Sequence, residues 1–351
     1  MADQADQLRA SGKWDPETKP FLGVPISLKE SIFIAGRDTT AGFAARLFEP
    51  ITKAEECPLY DRLIRLGAIP IVRSNFPQFL MACEGYNDIY GVTKNPHDLA
   101  RSPGGSSSGE GALVSAGCVV WGIGSDIAGS IRIPALWNGV CGFKPTPLRL
   151  SVAGHTEVNP TSCHNHYTQL LIIPTMGPLA RSVRDLTAIS KYLLDGHSNE
   201  YDHMIPPIPW VEETAKYDYA AKGAKKLKFA YMRELKLAEL APTNRRAQET
   251  VRDLLLNQGH EMYDLTFDDE EELFILVNKL LATDGQFDDF WNNWQFGEPI
   301  LESYLAGHMM SYLPDWVKSA LATVMYYLPG KRRLYVSTHG GTAYPFEDVN
   351  E

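Results

Sequence analysis

Three polar features of the chain have the residue types from which a nucleophilic hydrolase is built. Two serine- and glycine-rich segments lie at residues 104–109 (GGSSSG) and 126–132 (DIAGSIR), and Lys29 follows an apolar run at residues 21–28 (FLGVPISL). A serine hydroxyl becomes a good nucleophile when a nearby base takes its proton. A buried lysine can be that base, because burial disfavours its charged form. The three features together indicate a nucleophilic hydrolase.

The second segment also has the composition of an oxyanion site. Backbone N–H groups can converge on a developing negative charge only where side chains do not block them, and glycine removes that obstacle. We predict that Ser106 bridges Lys29 and Ser130 as a proton relay. The predicted oxyanion donors are the backbone N–H groups of Ile127, Ala128, Gly129 and Ser130.

Simpler interpretations exist for each feature. A Gly-Ser segment is often a linker, and a lone lysine at a strand end often reaches out to solvent. Residues 105–109 also fit the GxSxG pattern, which would make Ser107 the nucleophile of an α/β-hydrolase elbow. That elbow needs a strand directly before it, whereas residues 95–102 are typical of a turn-rich loop.

The sequence gives little support for a metal site. Residues 163–166 (CHNH) contain metal-ligating side chains, but no second pair completes a site, so an exposed loop is the simpler interpretation. The five cysteines are an odd number without a CxxC pair, and we expect them to be reduced. We therefore predict no metal and no other cofactor.

Composition excludes several classes of protein. The 351 residues, 44% of them hydrophobic and 22% charged, are typical of a soluble globular protein. The formal net charge of -10 opposes nucleic-acid binding, which needs a concentrated positive surface. No stretch reaches the roughly 18 apolar residues of a spanning helix, and residues 1–13 do not resemble a signal peptide. We expect a cytoplasmic protein.

Hydrophobic periodicity predicts alternating helices and strands. Helices are predicted at residues 59–66, 111–117, 183–194 and 243–257, the last with Thr243 as N-cap, and strands at residues 22–28, 68–72, 119–123 and 227–231. Residues 129–144 are expected to return through a Pro-Ala-Leu segment to a loop. This alternation favours the α/β class. We expect a mixed, largely parallel twisted sheet covered by helices.

Two longer segments resemble the signature of the amidase signature family. They are residues 101–113 (RSPGGSSSGEGAL) and 124–135 (GSDIAGSIRIPA). Shorter matches lie at residues 23–30, 95–96, 142–146 and 177–186. The resemblance implies a single amidase signature domain over residues 1–351. Its catalytic core would span residues 20–195 and its helical and cap region residues 260–335, with the N- and C-terminal parts of the family fold lacking.

The resemblance also implies roles for individual residues. Lys29 would be the base, Ser106 a relay serine preceded by a cis peptide bond, and Ser130 the nucleophile that carries the acyl group. Asp126 and Arg132 would hold the loop, and Ser107 would sit behind the relay. The chain departs from the family pattern at Ser108 and Ala128, where the family usually has glycine, and the added Cβ atoms are expected to reduce activity.

Within the family, the chain looks most similar to fatty acid amide hydrolases. This implies N-acylethanolamines and fatty acid primary amides as substrates, and we assign Leu80 and Met81 to the substrate pocket. Residues 314–328 place Trp316, Leu321 and Met325 on one helical stripe. Such a helix spans roughly 22 Å, short of the roughly 30 Å hydrocarbon core, and suits a monotopic membrane contact. Core packing explains the stripe equally well.

The predicted partners are a lipid amide substrate, an internal membrane contacted peripherally, and a second copy of the chain in a homodimer. Three other functions remain open. The chain could be a general small-amide amidase of the same family or a truncated, non-catalytic member. An amidotransferase subunit acting on charged tRNA would need a nucleic-acid surface, which the acidic balance does not suggest.

Overall fold

A computed structural model of the chain describes residues 1–156, 171–215, 224–234, 239–267 and 269–283, together with residues 294, 297–300, 313–314, 316–317 and 320. The strands are β1 (Pro25–Lys29), β2 (Ile69–Ser74), β3 (Tyr86–Asn87), β4 (Gly91–Val92), β5 (Trp121–Asp126), β6 (Cys141–Gly142), β7 (Thr175–Ala180), β8 (Lys228–Tyr231) and β9 (Glu261–Asp264). The helices are α1 (Ala2–Ala10), α2 (Pro58–Arg65), α3 (Ser108–Ser115), α4 (Arg132–Asn138), α5 (Val183–Leu193), α6 (Glu212–Ala215), α7 (Pro242–Asn257) and α8 (Glu270–Thr283).

A five-stranded mixed sheet with the order β2-β1-β5-β7-β6 forms the centre of the described part of the chain. Strand β1 runs parallel to both of its neighbours, β2 and β5. Strand β7 is antiparallel to β5 and to β6. Two smaller sheets pair β3 with β4 antiparallel and β8 with β9 parallel. The predicted α/β class, a mixed sheet with parallel strands covered by helices, is confirmed.

The central strands of the sheet are buried, and one face of them is apolar. Ile26 and Leu28 of β1 and Ile123 of β5 are fully buried in one core cluster. Helix α2 adds Leu59 and Leu63 to the same cluster from its apolar face. The opposite face of β1 carries Ser27 and Lys29, which are buried as well. The packing fixes the carboxyl ends of β1 and β5 side by side.

Gly67 makes the tight return from α2 to β2. It lies just after the helix in the left-handed region, with φ +91°, where glycine is favoured. A Cβ there would lie 2.7 Å from the Cα atom of Leu22. Helix α5 begins at Val183, the predicted start, and Ser182 caps it, because its Oγ accepts the backbone N–H of Asp185 at 3.1 Å.

The structure differs from the sequence prediction in several elements, including α4, β7 and α7. Residues 132–138 form helix α4 instead of a loop, and Pro134 is accommodated because it lies in the first turn. Strand β7 has no counterpart among the predicted strands. Helix α7 begins at Pro242, and its N-cap residue is Ala241 without a side-chain hydrogen bond, so the prediction of Thr243 as the cap is wrong.

Candidate active site

Lys29 is the last residue of β1, and its side chain lies in the interior. It is only 1% exposed. Its Nζ donates to Ser106 Oγ at 2.7 Å and to Ser125 Oγ at 2.9 Å. Nζ also lies 5.7 Å from the ring centroid of Phe76. Strand β1 therefore delivers an amine to two serine hydroxyls that come from different parts of the chain.

Ser106 is placed by the loop that leads into helix α3. The peptide bond between Gly105 and Ser106 is cis, as the family resemblance implies. Gly105 packs against the backbone of Ala82 and Cys83, and an added Cβ would overlap the carbonyl oxygen of Ala82. The loop therefore depends on glycine at this position. The Ser106 side chain is buried, with its Oγ within hydrogen-bond distance of the Lys29 amine.

Ser107 joins the two serine-glycine segments. Its backbone N–H donates to the carbonyl oxygen of Ser130 at 3.0 Å, so the backbone of Ser130 lies next to the loop that carries Ser106. Its hydroxyl is fully buried and lies 3.3 Å from both the carbonyl oxygen and the amide nitrogen of Ser125. No strand directly precedes Ser107. The structure therefore gives Ser107 a supporting position and not that of an elbow nucleophile.

Asp126 organises the loop that carries Ser130. Its carboxylate accepts the N–H of Gly129 at 2.8 Å and that of Ile131 at 3.0 Å, and it forms an ion pair with Arg132 at 2.9 Å. Burial raises the pKa of Asp126, but hydrogen bonds from Arg132 and from the two backbone N–H groups outweigh this effect and lower its pKa. Asp126 is therefore an anion that holds the loop in shape.

The four predicted oxyanion donors are not equivalent. The Gly129 N–H is already engaged by Asp126. The N–H groups of Ile127, Ala128 and Ser130 donate to no acceptor within the described part of the chain. Gly129 has φ +126°, a conformation that favours glycine, and this lets the loop turn tightly between Asp126 and Ser130.

Both departures from the family pattern are accommodated. Ala128 is exposed and lies outside the left-handed region of φ, so its Cβ meets no obstacle in the loop. Ser108 is fully buried, and its hydroxyl has no partner among the described residues. The Cβ of Ser108 packs against Gly85. A Cβ added at Gly85 would lie only 2.7 Å from the Cβ of Ser108.

Burial controls the charge of Lys29. It lowers the pKa of Lys29 to about 7, while Asp126 and Glu110 act in the opposite direction. Burial also raises the pKa of Glu110 to about 7 against the hydrogen bonds of Ser27 and Ser74. An amine with a pKa near 7 is half neutral at physiological pH, as a general base requires.

Three residues of the site were missed by the sequence analysis. Ser125 directly precedes the second serine-glycine segment, and Glu110 directly follows the first. Their positions next to the two segments could have identified both residues. His155 had no such signal. Its Nε2 lies 2.9 Å from Ser31 Oγ, and burial, with Lys29 nearby, lowers its pKa to about 3. His155 is therefore neutral at physiological pH.

The predicted pocket residues lie beside the site. Leu80 belongs to a buried cluster with Phe76, and Met81 packs against this cluster from a partly exposed position. Phe76 is also the ring next to the Lys29 amine. An apolar cluster thus extends from Lys29 to both residues that we assigned to the substrate pocket.

The predicted membrane stripe is described only in part. Trp316 is 74% exposed. Leu321 and Met325 lie outside the described residues. Within the described ranges, no helix is both long enough and apolar enough to cross a bilayer. The same ranges contain no group of three His, Cys, Asp or Glu side chains arranged to hold a metal ion, and the segment 163–166 lies outside them.

Comparisons with known proteins agree on one family. The sequence model of the family described as Amidase matches residues 1–318. The chain is 34% identical over 323 residues to the vitamin D3 hydroxylase-associated protein of Gallus gallus, covering 91% of this chain and 65% of that protein. It is 33% identical over 315 residues to fatty-acid amide hydrolase 1 of Sus scrofa, covering 87% of this chain and 50% of that protein.

A solved structure of a fatty acid amide hydrolase superposes with a TM-score of 0.78 at 29% identity. The superposition covers 98% of this chain and 53% of that one. The chain thus spans between half and two thirds of the length of these relatives.

Proposed function

Because the chain belongs to the amidase family, we propose that it is a serine hydrolase that cleaves amide bonds through a Ser-Ser-Lys triad. Ser130 is the nucleophile, Ser106 the proton relay and Lys29 the base. The observation that carries the proposal is the 2.7 Å hydrogen bond between the buried Lys29 amine and Ser106, whose neighbour Ser107 hydrogen-bonds the backbone of Ser130. A lysine with a pKa of about 7 supplies the neutral amine that this chemistry needs.

Acylation begins when Ser130 Oγ attacks the amide carbonyl carbon. The proton of Ser130 passes to Ser106 Oγ while the proton of Ser106 passes to Lys29 Nζ, so the base becomes an ammonium ion. The carbonyl oxygen becomes an oxyanion, which the free N–H groups of the Ser130 loop stabilise. The C–N bond then breaks, and the proton returns through Ser106 to the leaving nitrogen, leaving an ester on Ser130.

Water completes the reaction by the same path. It attacks the ester carbonyl and gives its proton to the relay, and the proton is returned to Ser130 Oγ as the carboxylic acid leaves. Lys29 is neutral again at the end of the cycle. Each step uses the relay first as a base and then as an acid, which a group with a pKa near the working pH does well.

Fatty acid amides are the substrate class that we propose. Two observations support this class. The relatives of the chain include proteins named fatty acid amide hydrolase. The apolar cluster with Phe76, Leu80 and Met81 puts apolar side chains beside Lys29, on the side where an acyl chain would bind. An apolar contact of Trp316 with a membrane surface would give such a substrate a route to the site, and the exposure of this side chain supports it.

Labelling with a fluorophosphonate probe tests the nucleophile. The wild-type chain should be labelled, and Ser130→Ala should not be, because the probe bonds to an activated serine. Ser11→Ala is the matched control, since Ser11 is an exposed serine on the surface, and it should label like the wild type. Undiminished labelling of Ser130→Ala contradicts the assignment.

Substrate class is tested with a pair of amides. A long-chain N-acylethanolamine and a short aliphatic amide are incubated separately with the purified protein, and the released amine or ammonia is measured. We expect hydrolysis of the long-chain substrate. Release from the short amide alone would indicate a general amidase, and release from neither would indicate a non-catalytic member of the family.

A further inference from the structure

Glu110 is a buried carboxyl that the proposed reaction does not use. It lies in the first turn of α3 and is fully buried. Its Oε2 accepts from Ser27 Oγ at 2.5 Å and its Oε1 from Ser74 Oγ at 2.6 Å. Within the described residues it forms no salt bridge. Carboxyl groups are rarely buried without a cation, so this position calls for a physical reason.

The fold provides a site shaped for this carboxyl. Gly122 of β5 lies opposite Ser27 of β1 in the sheet. A Cβ added at Gly122 would overlap both Glu110 Oε2 and Ser27 Oγ. The missing side chain on β5 therefore makes the space that the carboxyl fills. A glycine in a strand interior often marks such a close approach.

The carboxyl and the Lys29 amine lie on the same face of the sheet. Ser27 and Lys29 are two residues apart on β1, and residues at this spacing share a face. Ser74 is the register partner of Lys29 on β2. The two serines that hold Glu110 thus flank Lys29 in the sheet, Ser27 on the same strand and Ser74 on the neighbouring strand. Each group acts on the pKa of the other: Glu110 raises that of Lys29, and Lys29 lowers that of Glu110.

We propose that Glu110 is a positioning residue of the catalytic site, which acts through Lys29 by setting how readily its amine takes up the relay proton. When Glu110 is ionised, its negative charge favours the ammonium form of Lys29. When Glu110 is protonated, that support is removed. This inference rests on the proposed function, because it assigns a role relative to the base of that reaction.

Of the other charged groups nearby, Asp126 and His155 each keep one charge state near pH 7, and Glu30 is not among the groups that shift the pKa of Lys29. Asp126 at the end of β5 is an anion paired with Arg132, and hydrogen bonds lower its pKa. His155 has a pKa lowered to about 3 by burial, so it is neutral near pH 7. Burial raises the pKa of Glu30 to about 7, but its partner is Arg73 of β2 at 3.5 Å.

The test is the pH profile of kcat/KM for Glu110→Gln, which keeps the shape of the side chain and removes its charge. The acid limb should move to lower pH by about one unit, because a nearby carboxylate no longer supports the ammonium. The alkaline plateau should fall by no more than about threefold, since the base is only slightly weaker. Glu30→Gln, which removes the other buried carboxyl, should leave the limb in place.

Ser74→Ala is the second variant, and it keeps the carboxyl. It removes one hydrogen bond that lowers the pKa of Glu110, so Glu110 is ionised less and the acid limb of kcat/KM should again move to lower pH, by less than for Glu110→Gln. A limb that stays in place in both folded variants overturns the proposal. An equal loss of rate at every pH also overturns it, because that is the result of a purely structural role.

A measurement without catalysis separates this proposal from the proposed function. In protein labelled with carbon-13 at the lysine ε position, the resonance that disappears in Lys29→Met belongs to Lys29, and its NMR titration gives the pKa directly. The pKa should fall in Glu110→Gln and not in Glu30→Gln. A fall in a chain without hydrolase activity would support the role of Glu110 while refuting the proposed function. An unchanged pKa would overturn the role of Glu110 alone.

Discussion

Replacing Lys29 by methionine should remove activity and stabilise the fold at neutral pH. Activity should be lost because the variant lacks the base of the proposed reaction. The fold gains stability because Lys29 is buried as an amine that would carry a proton in the unfolded chain. Methionine has a similar length, and its thioether suits the neighbouring Phe76 ring.

The magnitude follows from the two pKa values of Lys29. The pKa of Lys29 is about 7 in the fold, against an ordinary value of 10.5, and this difference corresponds to about 5 kcal/mol. The unfolded chain therefore binds more protons between these pH values, and the stability of the wild type rises with pH across this window. At pH 7 the burial of Lys29 therefore lowers the free energy of unfolding by about 4 kcal/mol. The two serine hydroxyls that lose their partner offset about 1–3 kcal/mol of the gain.

The assay is urea unfolding of both proteins at pH 7, 8 and 9. Lys29→Met should be more stable by about 1–3 kcal/mol at pH 7, and its advantage should shrink by about 1.4 kcal/mol for each pH unit. Lys13→Met, at an exposed lysine, is the control and should follow the wild type in parallel. A difference between Lys29→Met and wild type that does not change with pH would refute the reasoning, because it would mean that Lys29 is charged in the fold.

Two further predictions concern the supports of the site. Gly122→Ala should lower the free energy of unfolding by about 2–3 kcal/mol in a denaturant titration, because the new Cβ overlaps Glu110 and Ser27; an unchanged stability would mean that the carboxyl can move aside. Asp126→Ala should lower kcat by about 100-fold with a smaller change in KM, because the Ser130 loop loses the acceptor that shapes it. Equal changes in kcat of Asp126→Ala and of the exposed variant Ser11→Ala would contradict this role.

The sequence predicted the elements whose pattern is set locally. The helix expected at residues 59–66 is observed at Pro58–Arg65, and that expected at residues 183–194 at Val183–Leu193. Both helices have an apolar face. Gly67 marks the end of the first, and Ser182 marks the start of the second. Strand β7 was missed because Gly177 and Pro178 weaken its strand pattern. Tertiary packing requires this glycine, since a Cβ at Gly177 would overlap the carbonyl oxygen of Phe143.

The site was predictable to the extent that its residues share a motif. Lys29, Ser106 and Asp126 could be identified from the two serine-glycine segments and the strand before them. Their partners could not be. Ser125 meets Lys29 because β5 pairs with β1, and Ser74 meets Glu110 because it lies opposite Lys29 on β2. Such contacts depend on sheet register, which the sequence does not state.

The destabilising effects of Lys29 and Glu110 change with pH in opposite directions, and the pH windows of the two changes meet near pH 7. Burial raises the pKa of Glu110 from 4.5 to about 7, so the fold binds more protons than the unfolded chain between these values, and stability falls as the pH rises through them. Lys29 has the reverse effect above pH 7. Together the two groups destabilise the fold most near pH 7, where the proposed base is half neutral. The pH at which the proposed base is half neutral is therefore the pH at which burial of these two groups costs the fold most stability, which is typical of a functional site held by the packing around it.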